Sequence, residues 1–296
     1  MIGNRKMWIG TGLLTGLLIL GSGTAQAQSG QAPPQNGQNP PPASQPSEKD
    51  KAQDKVQELT LDNPSPPPVN AEEDAAFKAF QDTPVTDSTK RIQLGEAFVQ
   101  KYPTSRYLPP VYASLTISYL QANQLDKMME VGEKEAALTP NDVQTLAILG
   151  QTISRTVKPG TPDAGKQLDK AEQYSKRAIE MMPTLPKPAN LTEEAFTTGK
   201  NQTLAMAHSG LGLVDIRRKR YSDAIPELEQ SVKLDPMPDP VNYYLLGVAN
   251  QNASHYDDAV AAFNKCASME GNLQPTCKTG AEEAKKLGAT QLSSPK

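Results

Sequence analysis

From Ala71 to Leu287 apolar residues recur at the spacing of amphipathic helices, and one stretch of the chain repeats itself. Leu211, Gly212, Tyr221, Ala224, Leu228 and Ser231 return as Leu246, Gly247, Tyr256, Ala259, Phe263 and Cys266, every pair 35 residues apart. Each unit reads as a helix, a short turn and a second helix. Gly212 and Gly247 stand where a bulkier side chain would hold the two helices of a unit apart, and Ala224 and Ala259 occupy the facing close approach. Leu228 and Phe263 then fill the wider gap toward the next helix. Pro236 ends a second helix because it cannot continue the hydrogen-bond ladder.

The same frame runs back through less regular units. Tyr112, Leu115, Thr116 and Tyr119 return 34 residues later as Leu146, Leu149, Gly150 and Ile153. The pattern predicts five helix pairs, at about 71–101, 106–139, 141–182, 191–236 and 239–271. One insertion, 156–167, precedes the second helix of the third pair, and another, 184–200, precedes the fourth pair and lengthens its first helix. A last helix over 274–287 carries Ala281-Glu-Glu-Ala-Lys-Lys286 and is expected to cover the apolar flank of the final pair, leaving 289–296 as a flexible tail.

This pattern resembles the tetratricopeptide repeat, whose unit of about 34 residues places Leu-Gly on its first helix and Ala, a large apolar residue, Ala and Pro on its second. The resemblance implies an all-α solenoid whose first helices line a groove. The family's ligand-facing positions fall on Ala113, Ile117 and Leu120, on Ala147 and Gln151, on Ser209, Leu213 and Arg217, and on Tyr244, Val248 and Asn252. These positions do not reproduce the Lys/Asn carboxylate clamp of the chaperone-binding branch. An extended or helical segment of another protein is the implied ligand. The phrase from Phe98 to Tyr107, with Tyr102, Pro103, Ser105 and Tyr107, is similar to one in envelope tetratricopeptide proteins such as the outer-membrane-protein assembly lipoproteins.

The N-terminus points to the same compartment. Arg5 and Lys6, the apolar run from Ile9 to Gly21, and Ala25-Gln26-Ala27 have the layout of a secretory signal over 1–27, cleaved after Ala27. The protein is therefore expected in the periplasm or secreted. The alternative is an uncleaved N-terminal anchor, and that segment would be the sole contact with a membrane. Residues 28–70 are rich in Pro, Gln and Ser and lack the apolar surface that offsets ordering entropy, which predicts a disordered linker. It is either a spacer or a proline-rich ligand.

Thirty Lys and Arg against 33 Asp and Glu leave a net charge of −3, which gives no electrostatic footprint for nucleic acid. Cys266 and Cys277 are an even pair in an exported chain, which favours a disulfide over two separately buried thiols. Catalytic, metal-binding and cofactor motifs are missing from the sequence: there is no HExxH, GxSxG, Walker loop, GxGxxG or CxxC. His208 takes an aromatic slot on a first helix and His255 an inter-helix turn, so packing is the plain role for each. The run Arg217-Arg218-Lys219-Arg220 suits a helix C-terminus, with an anion-binding spot as the alternative. The expected function is an exported scaffold holding an unidentified envelope protein or peptide. The second reading is an accessory or catalytic module with a pocket near His208 and the insertions.

Overall fold

The computed structural model describes residues 70–293. The expected signal, nearly all of the linker, and residues 294–296 lie outside the described residues. Among the described residues there is no strand, and no helix is long and apolar enough to cross a membrane. Eleven α-helices among the described residues form five antiparallel pairs and a cap: α1 (Ala71–Gln81) with α2 (Ser88–Lys101), α3 (Leu108–Gln121) with α4 (Leu125–Leu138), α5 (Val143–Thr156) with α6 (Ala164–Met181), α7 (Glu193–Arg217) with α8 (Tyr221–Leu234), α9 (Pro240–Asn252) with α10 (Tyr256–Ala267), and α11 (Gln274–Ser293). Each second helix packs against the first helix of the following pair, and α10 packs against α11.

Short polar side chains start several of these helices by accepting the free N–H groups of the first turn. Asn70 caps α1, Asp87 caps α2, Asp142 caps α5, Thr192 caps α7 and Asp239 caps α9. Three of the turns within pairs are built alike. Asn123, Lys219 and Ser254 have φ of 55°, 59° and 65°. In each, the following N–H reaches back five residues to a carbonyl: Gln124 to Tyr119 at 2.9 Å, Arg220 to Asp215 at 2.8 Å, and His255 to Asn250 at 2.9 Å. This left-handed closure satisfies carbonyls at the end of one helix and turns the chain directly into the next. The α5–α6 connection, Val157–Asp163, carries the first insertion and lacks that turn. The insertion is shorter than the sequence pattern suggests, because Ala164 to Gln167 join α6.

Glycines set the closeness of the helices, with one correction to the expected geometry. A Cβ on Gly212 would lie 2.6 Å from Cγ of Leu228, and one on Gly247 would lie 2.6 Å from the Phe263 ring. The glycines thus seat the large residue of the partner helix itself. The small residue one turn earlier, Ala224 or Ala259, is fully buried beside it. Between the third and fourth pairs the approach is tighter still: a Cβ on Gly210 would lie 3.0 Å from the backbone of Gly150 and Gln151, so α5 and α7 meet backbone to backbone.

The helix α11 runs to Ser293, six residues beyond the expected end of the cap at 287 and into the expected tail. Gly288 explains part of this extension, since a Cβ there would lie 3.2 Å from Tyr256 Cβ and the helix stays close to α10 past Leu287. A disulfide joins Cys266 on α10 to Cys277 on α11, with Cα atoms 5.8 Å apart. Replacing both cysteines with alanine is expected to lower stability by about 2–3 kcal/mol, because the bridge closes a short loop and restricts the unfolded chain. The loss should appear as a lower denaturation midpoint in oxidising buffer and shrink when both proteins are compared in reductant. Equal midpoints without reductant would contradict the staple.

Candidate functional site

The first helices α5, α7 and α9 lie side by side, and their exposed edge is the face that the sequence proposes for a ligand. The structure divides the proposed groove residues into two groups. Ile117, Ser209 and Leu213 are buried, as is Ala147, and these positions are corrected from ligand contacts to interior ones. The cause for Ser209 is a chain of hydrogen bonds across three helices. Its Oγ donates to Asn242 Oδ1 at 2.7 Å, Asn242 Nδ2 donates to Ser231 Oγ at 3.0 Å, and Ser231 Oγ donates to the Ala205 carbonyl at 2.9 Å. Leu213 packs with Leu228, Leu245 and Leu246. Tyr244 and Val248 are partly buried against the cluster of α10 and α11, with the Tyr244 ring 5.9 Å from that of Phe263. Leu120, Gln151 and Arg217 are also partly exposed and Asn252 is exposed, so these four remain on the surface together with Tyr244 and Val248.

One residue that the groove assignment passes over is central to this face. Arg155 stands 62 residues before Arg217, the same separation as Leu149 and Leu211, so it occupies the equivalent repeat position. Its Nη2 reaches Asp239 Oδ2 at 3.1 Å, joining the end of α5 to the start of α9 across the pair between them. Asp239 simultaneously accepts the Val241 N–H at 2.9 Å as the cap of α9. Arg217 Nη2 donates to the Arg155 carbonyl at 3.2 Å. The Nε atoms of both arginines are enclosed and make no hydrogen bond.

Two further members of the basic run are occupied internally, while Lys219 is exposed. Arg218 pairs with Asp169 and Glu172 on α6, and Arg220 pairs with Asp215 and with Glu172 at 3.4 Å. Lys176 joins the same carboxylate at 2.8 Å. These cations, Lys176 foremost and then Arg218, hold Glu172 below its usual carboxylate range. Arg218 and Arg220 therefore fasten the α7–α8 turn to α6, and their charges are already met by carboxylates of the chain itself, which weighs against an anion spot at these two.

His208 Nδ1 lies 2.7 Å from Glu227 Oε2, which ties α7 to α8. His255 is an exposed residue at the start of α10. Among the described residues no group of three or more His, Cys, Asp or Glu is placed to hold a metal ion.

The envelope-like phrase has a local structural purpose. Tyr107 stacks on Phe77 with ring centres 4.0 Å apart, and its hydroxyl donates to Asp74 at 2.7 Å. Ser105 donates to Glu73 at 2.5 Å and Arg106 pairs with Asp74 at 2.9 Å. The segment between α2 and α3 is thereby fixed back onto α1. The hydrogen bond from Tyr107, with Arg106 beside it, pulls the Asp74 carboxyl below its ordinary value.

Residues 241–272, covering α9, α10 and the turn after them, match the family model of the tetratricopeptide repeat. The α9–α10 pair is thus a tetratricopeptide repeat. Its solved neighbours include TTC0263, a thermophilic tetratricopeptide protein of Thermus thermophilus, at 16% identity over 72% of this chain and 99% of that one, with a TM-score of 0.44. The MamA RS-1 ArsTM double mutant overlays at 14% identity over 76% of this chain and 99% of that one, with a TM-score of 0.46. No curated protein matches in sequence. Within the tetratricopeptide frame, Arg155, Arg217 and Asn252 are the same position on three successive first helices, so the face they share follows from the repeat itself.

Proposed function

We propose that the protein is an exported, noncatalytic scaffold of the bacterial cell envelope that holds a protein or peptide segment on the face of its first helices. The observation that carries this reading is the row of nested tetratricopeptide hairpins, which presents one continuous side built from equivalent positions of successive units. Repeats of this family bind protein partners. Their stability is spread along the row, so surface positions can vary without loss of the fold.

The export part of the reading is supported by the charge layout and small-residue site of residues 1–27. It is also supported by the Cys266–Cys277 bridge, since disulfides persist in oxidising compartments and are rare where thiols are kept reduced. Crosslinking in intact cells followed by co-purification tests the scaffold role. The wild type should retain a defined set of envelope proteins that is diminished in a folded Leu120→Glu plus Asn252→Glu variant. An identical set from both proteins would remove this face as the binding surface. Fractionation with N-terminal sequencing tests export, with Gln28 as the expected first residue of the mature chain.

A further inference from the structure

We infer that Arg155 and Arg217 form a carboxylate-binding site on the face of the first helices, and that the partner segment held there is acidic, presenting an Asp or Glu side chain to the pair. The inference deepens the scaffold reading and rests on it.

The argument begins with an unmatched charge. Arg217 is half-buried, and burial pulls its pKa below the ordinary value with no carboxylate to offset it. Among the described residues it has no ion pair; its one hydrogen bond goes to the neutral Arg155 carbonyl at 3.2 Å, and its Nε is enclosed without a partner. Its neighbours in sequence differ, because Arg218 and Arg220 each have carboxylates. Arg91 is also buried away from carboxylates, but it is only 5% exposed, donates to the Thr83 carbonyl at 2.6 Å and lies over the Phe80 ring. No ligand can reach it. Arg217 ends a first helix at an accessible edge.

Arg155 has only a shared counter-charge. Asp239 is 3.1 Å from its Nη2 but also caps α9, and the Arg155 Nε is likewise enclosed without a partner. Two arginines at equivalent positions of successive first helices thus touch, Arg217 through the Arg155 carbonyl, and Asp239 is the one carboxylate paired with either. Taking a cation from water without a matched anion is unfavourable. A carboxylate arriving from outside relieves that cost, and the planar guanidinium fork suits two-point binding of a carboxylate.

The test uses the mature protein and a fluorescein-labelled dodecapeptide of alternating Glu and Ala, set against the same peptide with Gln in place of Glu. Anisotropy should show the Glu peptide binding at low salt at least about tenfold more tightly than the Gln peptide, the difference one charge-assisted bidentate contact supplies. Arg217→Gln should weaken the Glu peptide by about tenfold. Asp239→Asn keeps a good helix cap while releasing Arg155, so it should tighten binding with little change in thermal midpoint. A structural role for the arginines alone would not give effects of opposite sign. Absence of binding, equal affinity for the two peptides, or an unchanged affinity on Arg217→Gln in folded protein each overturns the site. If Arg217→Gln fails to fold, the Gln peptide and Asp239→Asn decide between the outcomes. The scaffold reading is judged separately by the crosslinked partner set, which uses variants that leave both arginines in place.

Discussion

Phe263→Ala is expected to destabilise the protein by about 3–5 kcal/mol, the range found when a fully buried aromatic ring is removed from a core. Phe263 is 2% exposed and joins Ala259, Ala281 and Ala284 where α10 meets α11. Gly247 and Gly280 open space for the ring from two sides, with a Cβ on either falling within 2.9 Å of it. Removing the ring therefore leaves a cavity that rigid helix backbones cannot close. Urea unfolding should show the loss, and amide exchange should show α11 opening before α5, because stability in a row of repeats is a sum of neighbouring contacts.

The glycine supplies a sharper control. Gly247→Ala alone should cost about 1–3 kcal/mol by overpacking against the ring. In the Phe263→Ala background the added methyl group enters the vacated space, and its cost should vanish or reverse. Additive effects of the two substitutions would show that the glycine is not there to seat Phe263.

The same pair of residues shows what the sequence makes legible. Leu-Gly on one helix and a small residue followed by a large one on the next encode the crossing directly, so helix pairs can be read from spacing alone. Which face meets a ligand is less accessible. Ser209 occupies a family ligand position but is drawn inward by Asn242, a contact between residues 33 positions apart that depends on how α7 and α9 cross. For Arg218 and Arg220 the sequence leaves an anion-binding spot open as an alternative because their partners on α6, Asp169 and Glu172, lie 46 to 49 positions earlier. Arg155 was within reach of the repeat spacing, since the interval that yields Arg217 and Asn252 also yields it.

Glu135 shows a signal hidden by residue type. It stands in Gly-Glu-Lys-Glu, which reads as a solvated helix face, yet Met128, Val131, Gly132 and Glu135 are spaced as one helical stripe and all four are buried. The carboxyl is 2% exposed and its Oε2 has no hydrogen-bond partner. Burial, reinforced by the nearby charge of Asp142, raises its pKa from 4.5 to about 7.

This group makes stability fall as pH rises. Above pH 4.5 the unfolded chain has begun to lose the proton while the folded chain keeps it, so folding is disfavoured progressively until the folded carboxyl also ionises near pH 7. Glu135 thus contributes most below pH 4.5 and loses that contribution between about pH 4.5 and 7, a change of about 3 kcal/mol. Exposed carboxylates held down by cations, such as Glu96 beside Lys127, act in the opposite direction. The whole-protein pH profile therefore mixes both. Comparison with Glu135→Gln isolates the one group, since the amide keeps the shape and cannot ionise. At pH 4.5 the two proteins should have similar denaturation midpoints, and by pH 8 the Gln variant should be the more stable by about 2–3 kcal/mol. A stability difference that stays constant across that range would mean that Glu135 titrates alike in the folded and unfolded chains, and that its burial does not hold a proton.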